Sequence, residues 1–551
     1  MFNNMVRVNF ENKEEMLVPV GTQAIDVVAR CFNKKDNVIA VRVNNKVHSL
    51  NYKIVSDCII SVITYYDTEG HKIYARSLKL LFMMAVRNTY SDLKYTIGNK
   101  IGDHFYIEAN LTENMVKKIY DEMVSLTLQK LNITKIRVPY QILEKIYNEI
   151  NEQDALENLK KSVEPLFSVY RADEKYFPWL YGRVVINTSF IKYFDLELLK
   201  DETNISGAIL KMPSASDIKK IDEKVQISTI HYQFQKFSKV PRQLGINSVA
   251  DLNNMALDEK KIEKLILMSE DEQSKRIYKI SDEILKSKKR LVFIAGPSSS
   301  GKTTFSQRLQ ISLGVEGIKS TVLSLDNYFR DASVSKDFES ISHVDVPFFK
   351  NQMEALLRHE RVDIPYYNFK TGGTREFHSN FVKLEEDDIL IVEGIHSLNP
   401  ILSSFLPKDK VYKIYIAPFV TINIDRFTKP STNDVRLLRR IVRDYQDRKV
   451  DLELTLKRWE GVKKGEKENI HPYVKEADAI FNSFLPYEVG VLKVFADPLL
   501  LSSLNASSPG EFYSKIKELK TFLDSFIGIF TDSVPTNSIL REFIGKGCFV
   551  R

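Results

Sequence analysis

The residues Gly296-Pro297-Ser298-Ser299-Ser300-Gly301-Lys302-Thr303-Thr304 follow the spacing G-x-x-x-x-G-K-[ST] and stand directly after the apolar run Leu291 to Ala295. Gly296 and Gly301 permit backbone conformations that strain other residues, so successive N–H groups can converge on phosphate oxygens. Lys302 adds a positive charge and Thr303 an oxygen for Mg²⁺, which makes a nucleoside triphosphate the expected ligand of this P-loop. Two carboxylates complete the pattern. Asp326 ends the apolar stretch Ser320 to Leu325, and Glu393 ends Asp388 to Val392 just before Gly394. A carboxylate near a γ-phosphate can accept the proton of an attacking hydroxyl or help hold Mg²⁺, the services phosphoryl transfer needs beyond charge neutralisation. The plainer alternatives are a turn cap for Asp326 and a strand-edge cap for Glu393.

These groups need strands and helices to place them. Phe305, Leu309 and Leu313 recur every four residues, so a helix is expected at once after the loop, its N-terminus beneath the phosphates. The runs at 320–325 and 388–393 read as parallel strands with acids at their carboxyl ends, where α/β sheets bind ligands. A third element is a helix expected over Asp434 to Asp447. Val435, Leu438, Val442 and Tyr445 share one face, Arg436, Arg440 and Arg443 share the other, and Arg439 flanks them. Arginine forks suit phosphate, so this helix is expected to close as a lid over the transferring group, with a solvated or RNA-binding face as the alternative.

The loop, Asp326-Asn327-Tyr328, Ile364 to Phe369, Ile391 to Ile395 and Arg439 to Asp444 together resemble the uridine kinase and phosphoribulokinase family over about two hundred residues in order. The resemblance implies ATP and Mg²⁺ as cofactors and Asp326 as general base. It implies Thr303, Glu393 and Asp326 at the metal, Lys302 on the phosphates, and Arg440 and Arg443 in the lid. Asp345 is implied for ribose hydroxyls and Tyr367 for the base, with Tyr328 beside them. Three positions depart from the uridine-cytidine kinase pattern: a base-contacting histidine falls at Gly372, and an arginine and a glutamine fall at Val450 and Arg458. The acceptor is therefore expected to be the 5′-hydroxyl of a nucleoside such as uridine or cytidine, or else another small alcohol or sugar.

The amino-terminal part has its own signals. Met5 to Phe10, Met16 to Val20, Val38 to Val43 and Ile59 to Tyr65 read as strands around a helix near Ala24 to Phe32, with turns at Gly21-Thr22 and Asn44-Asn45. This pattern is similar to the TGS domain of threonyl-tRNA synthetases, and Ile97-Gly98 with Asp103 to Glu108 is similar to the opening of their second domain. The metal-binding histidines of that domain would fall at Arg76 and Leu80, so its editing chemistry is not expected here. RNA, a nucleotide or another subunit are the partners this part suggests; a structural or homo-oligomerising role is the alternative.

The bulk numbers agree with several domains. A 551-residue chain exceeds one ordinary core. Its 79 basic and 72 acidic residues are interspersed, so the net charge of +7 does not by itself argue for nucleic acid. Cys31, Cys58 and Cys548 lack metal-site spacing, which suggests a reducing, cytoplasmic setting. No membrane partner is expected, and the terminal Cys548-Phe549-Val550-Arg551 is read as an accidental prenylation box. The expected fold is α/β: a P-loop, doubly wound parallel-sheet kinase domain over 287–498, preceded by a β-grasp-like domain over 1–66 and an α+β synthetase-like domain over 67–239. A helical connector over 240–286 and a helical tail over 499–551 complete it. The runner-up from another class is an RNA-binding ATP switch with no acceptor.

Overall fold

The computed structural model describes residues 5–10, 15–32, 37–160, 165–178, 181–199, 207–222, 229–331, 339–368, 373–504 and 510–549. Gly372 lies outside these residues.

The first module pairs β1 (Met5–Phe10), β2 (Glu15–Pro19), β3 (Val38–Val43), β4 (Lys46–Ser49) and β5 (Cys58–Thr64) in the order β2-β1-β5-β3-β4. β1 and β5 run parallel and the other pairs antiparallel, with α1 (Ala24–Cys31) packed on one face, a β-grasp-like arrangement. The sequence reading omitted β4. Asn44 and Asn45 both hold positive φ, 45° and 62°, the hairpin geometry that turns β3 back onto β4.

The second part is α+β. Helix α2 (Thr68–Thr89) is buried from Leu80 to Val86 because strands and helices cover it on several sides. Beside it are α3 (Glu113–Gln129), a four-stranded sheet of β6 (Tyr95–Ile101), β7 (His104–Ala109), β11 (Asp195–Leu198) and β12 (Gly207–Lys211), and a three-stranded sheet of β8 (Ile133–Val138), β9 (Phe167–Ala172) and β10 (Lys175–Pro178). Helices α4 (Tyr140–Glu149) and α5 (Gln153–Leu159) pack against the latter.

Helices α6 (Thr229–Gln243), α7 (Val249–Ala256) and α8 (Glu259–Lys286) lead into a five-stranded, wholly parallel sheet. Its strands are β13 (Leu291–Ala295), β14 (Ser320–Ser324), β19 (Ile389–Glu393), β20 (Val411–Ala417) and β21 (Ala479–Asn482), ordered β14-β19-β13-β20-β21. Between β14 and β19 lie α10 (Val346–Leu357) and two small ribbons, β15 (Val362–Asp363) with β18 (Phe381–Val382) and β16 (Tyr366–Asn368) with β17 (Thr374–Glu376).

Side chains of β13 alternate between two cores. Leu291 and Phe293 face α10, whereas Val292 and Ile294 join α7, α8 and α9 (Lys302–Val315), so both sheet faces are buried. The chain leaves central β13 for β14 on one side and later crosses from β19 to β20 on the other, and the cleft at such a reversal is where open α/β sheets take ligands. The phosphate loop sits there.

The expected connector and tail are not appendages. The apolar stripe Ile262, Leu265, Ile266, Ile277, Ile280 and Ile284 of α8 is buried in the same core as the sheet, together with Ile516, Leu519 and Leu523 of α14 (Tyr513–Asp524) and with Ile539 and Phe543. The boundary expected at 498/499 falls inside α13 (Glu488–Leu504), and that at 239/240 falls inside α6. Period-2 and period-3.6 patterns mark elements, not which core receives them. Helix α14 also reaches the other two parts. Lys46 lies over the Tyr513 ring, Arg76 and Lys72 of α2 pair with Glu518 at 2.8 and 3.3 Å, and Lys515 pairs with Asp434 at 2.6 Å. Those cations hold the Glu518 carboxyl at about 2 despite its burial. Among the described residues no helix is long and apolar enough to cross a membrane.

Candidate active site

The phosphate loop turns out of β13 as a left-handed passage into α9. Gly301 has φ +89°, and a Cβ there would stand 2.4 Å from Cγ2 of Ile539, so both conformation and space require glycine. Phe305, Leu309 and Leu313 are fully buried and hold α9 on the sheet. Arg308 on the same helix is locked to α8 by donating to Gln273 Oε1 at 3.0 Å and Ser274 Oγ at 2.9 Å. The Lys302 ammonium donates to the carbonyls of Gly296 and Pro297 at 3.0 and 3.3 Å, curled over its own loop.

The Lys302 charge acts on both acids. Asp326 stands in a short 3₁₀ turn, Leu325–Tyr328, at the end of β14; burial raises its carboxyl above the ordinary range, and the charges of Lys302 and Arg448 oppose that rise. Glu393 at the end of β19 is pushed to about 7, mainly by burial, with Asp326 and Glu542 adding to the shift and Lys302 and a Ser324 hydrogen bond opposing it. Its unfolded carboxyl ionises near 4.5. Between those values the folded state retains a proton that the unfolded state has lost, so stability falls as pH rises through this window. Glu393→Gln is therefore expected to stabilise the protein by about 1–3 kcal/mol at pH 8 and by progressively less toward pH 5, read by thermal unfolding at both pH values. Equal effects at the two pH values would refute this.

These residues suit a divalent cation. The buried Glu393 and the half-buried Asp326, both with raised carboxyls, and one nearby ammonium favour an added positive charge. Among the described residues no group of three or more His, Cys, Asp or Glu side chains could hold a metal, and Mg²⁺ commonly takes only one or two carboxylates beside phosphates and water. Thr303 follows Lys302 on the first turn of α9, exposed at the mouth of the loop.

The arginine helix, α11 (Thr432–Gln446), corrects the sequence reading. Tyr445, expected on the buried face, is 53% exposed, whereas Arg436 and Arg439 are buried beneath the phosphate loop. Arg436 donates to the Ser298 carbonyl at 3.0 Å and forms a two-point pair with Glu466 of α12 (Leu452–Asn469). Arg439, with no exposed surface, clamps Glu488 at 2.9 and 2.6 Å and reaches the carbonyls of Ser299 and Ser300 at 3.3 and 3.4 Å. Arg440 touches Ser298 Oγ at 3.2 Å, and Arg440 and Arg443 both pair with Asp444. Guanidinium groups thus brace the loop from below, and the helix is a support with no solvated arginine face.

The residues expected at the acceptor are partly engaged elsewhere. Asp345 caps α10 by accepting from Phe348 N at 3.3 Å and pairs with Arg375 at 3.1 Å. Tyr328 is fully buried and donates to Gln352 at 2.8 Å, so it serves the core and not a ligand. Tyr367 is buried against Phe329, its hydroxyl 3.3 Å from the Arg330 carbonyl. Val450 is half-buried and Arg458 exposed.

Sequence reasoning missed four groups. Arg448, two residues before Val450, lies 3.6 Å from Asp444 and acts on the Asp326 charge. Glu339, near Glu466, Arg440 and Lys302, has its carboxyl pushed up to about 7, chiefly by burial. Glu466 accepts from Ser298 N at 3.3 Å, and Glu542 accepts from both Thr304 N and Oγ1, at 3.2 and 3.0 Å. None belongs to a motif; Glu339, Glu466 and Glu542 reach the loop only through tertiary packing.

Comparison with known proteins agrees with this geometry. Residues 291–488 match the model of the Phosphoribulokinase / Uridine kinase family, and the carboxyl-terminal half carries a domain of that family. The uridine kinase of Deinococcus deserti is 28% identical over 165 residues, covering 29% of this chain and 70% of that protein. The amino-terminal part is similar to threonine–tRNA ligases: that of Clostridium kluyveri is 27% identical over 161 residues, covering 28% of this chain and 25% of the ligase. The chain thus spans about a quarter of the length of that ligase. A solved structure described as a possible uridine kinase from Bacillus stearothermophilus has 19% identity, covers 38% of this chain and 98% of its own, and has a TM-score of 0.26.

Proposed function

We propose that the protein transfers the γ-phosphate of ATP to a hydroxyl of a small metabolite, with the 5′-hydroxyl of uridine, cytidine or a related nucleoside as first candidate. The observation that carries this reading is the convergence of Lys302, Asp326 and Glu393 at the loop that follows the central strand. A triphosphate switch needs one acid such as Glu393 for Mg²⁺, but no second carboxylate such as Asp326 placed as a base for an acceptor.

In this reading loop N–H groups and Lys302 hold the β- and γ-phosphates, and Asp326 accepts the proton of the acceptor hydroxyl. Burial makes Asp326 a stronger base than an exposed aspartate. Thr303 and Glu393, with Asp326, would hold Mg²⁺, which when bound neutralises phosphate charge. Arg440, Arg443 and Arg448 offset negative charge in the transition state. Residues 1–66 and the part from 67 up to α6 serve as TGS-like and synthetase-like modules, with RNA or a further copy of the chain as candidate partners, and the chain from α6 onward forms the kinase unit.

One observation favours the second acceptor class, a sugar or another small alcohol. Asp345 and Tyr367, the positions expected to read ribose and base, are hydrogen-bonded inside the protein. ADP release measured over a panel of nucleosides, sugars and small alcohols decides between them. Nucleoside-stimulated turnover is expected; turnover confined to the other acceptors would remove the nucleoside reading. Salt-sensitive RNA binding with no acceptor-stimulated turnover would remove the kinase reading.

A further inference from the structure

The segment from Val534 to Phe549 lies outside the stretch matched to the kinase family, yet it packs against the phosphate loop. Ile539 fills the space beside Gly301, the Arg439 guanidinium lies 4.9 Å over the Phe543 ring, and Glu542 binds Thr304 through two hydrogen bonds. The strap is held in shape by Arg541, which donates to the carbonyls of Thr531 at 2.9 Å and Val534 at 2.6 Å, and by Cys548 N bonded to Thr536 O at 3.0 Å.

Between this strap and the first turns of α9 is a cavity of about 200 Å³, walled by Thr303, Thr304 and Gln307 on one side and by Glu542, Gly545 and Gly547 on the other. It opens immediately beside the residues that follow Lys302. One wall group is unsatisfied: Oε1 of Gln307 is buried with no hydrogen-bond partner. A buried acceptor left unpaired carries a desolvation cost that a ligand N–H removes on binding.

We propose that the carboxyl-terminal strap completes the donor site by enclosing the base of the purine nucleoside triphosphate, with Gln307 accepting a hydrogen bond from its amino group. This rests on the donor reading given above and deepens it. The cavity adjoins the phosphate loop, so a base can enter while its phosphates lie on the N–H groups of Ser299, Gly301 and Lys302. Glu542 is a positioning residue, since it fixes the Thr304 end of the wall.

The test is calorimetric titration of the full chain, in Mg²⁺, with ATP and separately with inorganic tripolyphosphate, which has phosphates and no base. Gln307→Leu is expected to weaken ATP about ten-fold, while tripolyphosphate affinity stays within about two-fold and the melting temperature holds or rises, because an unpaired polar group has gone. Gln307→Phe, which fills the cavity, is expected to weaken ATP at least as much with tripolyphosphate again spared. Equal weakening of both ligands would assign Gln307 to the loop's own structure and overturn the base pocket. ATP affinity unchanged in both variants would overturn the pocket and leave the donor site standing. Wild-type protein that binds neither ligand would overturn the donor reading and the pocket together.

Discussion

Asp326→Asn is expected to lower kcat by roughly 10²–10⁴-fold, the range a positioned general base contributes, with ATP still bound. The substitution keeps the shape of the side chain and its place in the turn after β14, so the loop and Lys302 are undisturbed. What disappears is the proton acceptor. It also removes one negative charge from the site, so the attraction of Lys302 and Arg448 for phosphate is less opposed, and ATP affinity should hold or rise. Acceptor-dependent ADP release and ATP titration of the same variant measure the two effects separately. Full turnover would sink the base assignment, and loss of ATP binding in a folded variant would place Asp326 with the phosphates.

Arg439→Met is expected to destabilise the protein by about 3–5 kcal/mol, the cost of leaving one member of a buried ion pair alone. Neither Arg439 nor Glu488 has exposed side-chain surface, and the guanidinium serves Glu488, Ser483 and the carbonyls of Ser299 and Ser300 together. Methionine supplies volume but no donor, so the Glu488 charge and the loop carbonyls are left without their partner. The double variant Arg439→Met/Glu488→Leu removes the stranded charge and should recover part of the loss, measured as midpoints of chemical denaturation. The double variant should still bind ATP more weakly than wild type, because the loop has lost its brace. A double variant no more stable than Arg439→Met would show that the pair is not the source of the cost.

The phosphate loop and its flanking strands were readable because their signals are local. A glycine-spaced loop, a continuous apolar run before it and a four-residue repeat after it all lie within one strand–turn–helix, and Asp326 and Glu393 follow from strand ends alone. The arginine helix misled for a physical reason. Periodicity assigns charged side chains to solvent, but burial of Arg436 and Arg439 is made possible by Glu466, Glu488 and loop carbonyls far away in the chain. No window around the helix contains those partners. Glu542 presents the same difficulty at greater distance, 238 residues from the threonine it holds. Tyr328 and Asp345 were overread: the residue types suit ligand contact, but a hydroxyl satisfied by Gln352 and a carboxylate capping α10 are equally good uses of them.

Helix α14 changes how the chain can be regarded as a composite. It touches the β3–β4 turn through Tyr513, α2 through Glu518 and the first turn of α11 through Lys515, and α11 is the helix that braces the phosphate loop. The two kinds of relative that this chain resembles meet here through reciprocal charges, not through a tether. Exchange of either half for the equivalent piece of a relative would have to carry the matching partners of Glu518 and Lys515 with it. A single substitution at Glu518 or Lys515 strands a charge in this seam, so the parts separate only when both sides of a pair change together.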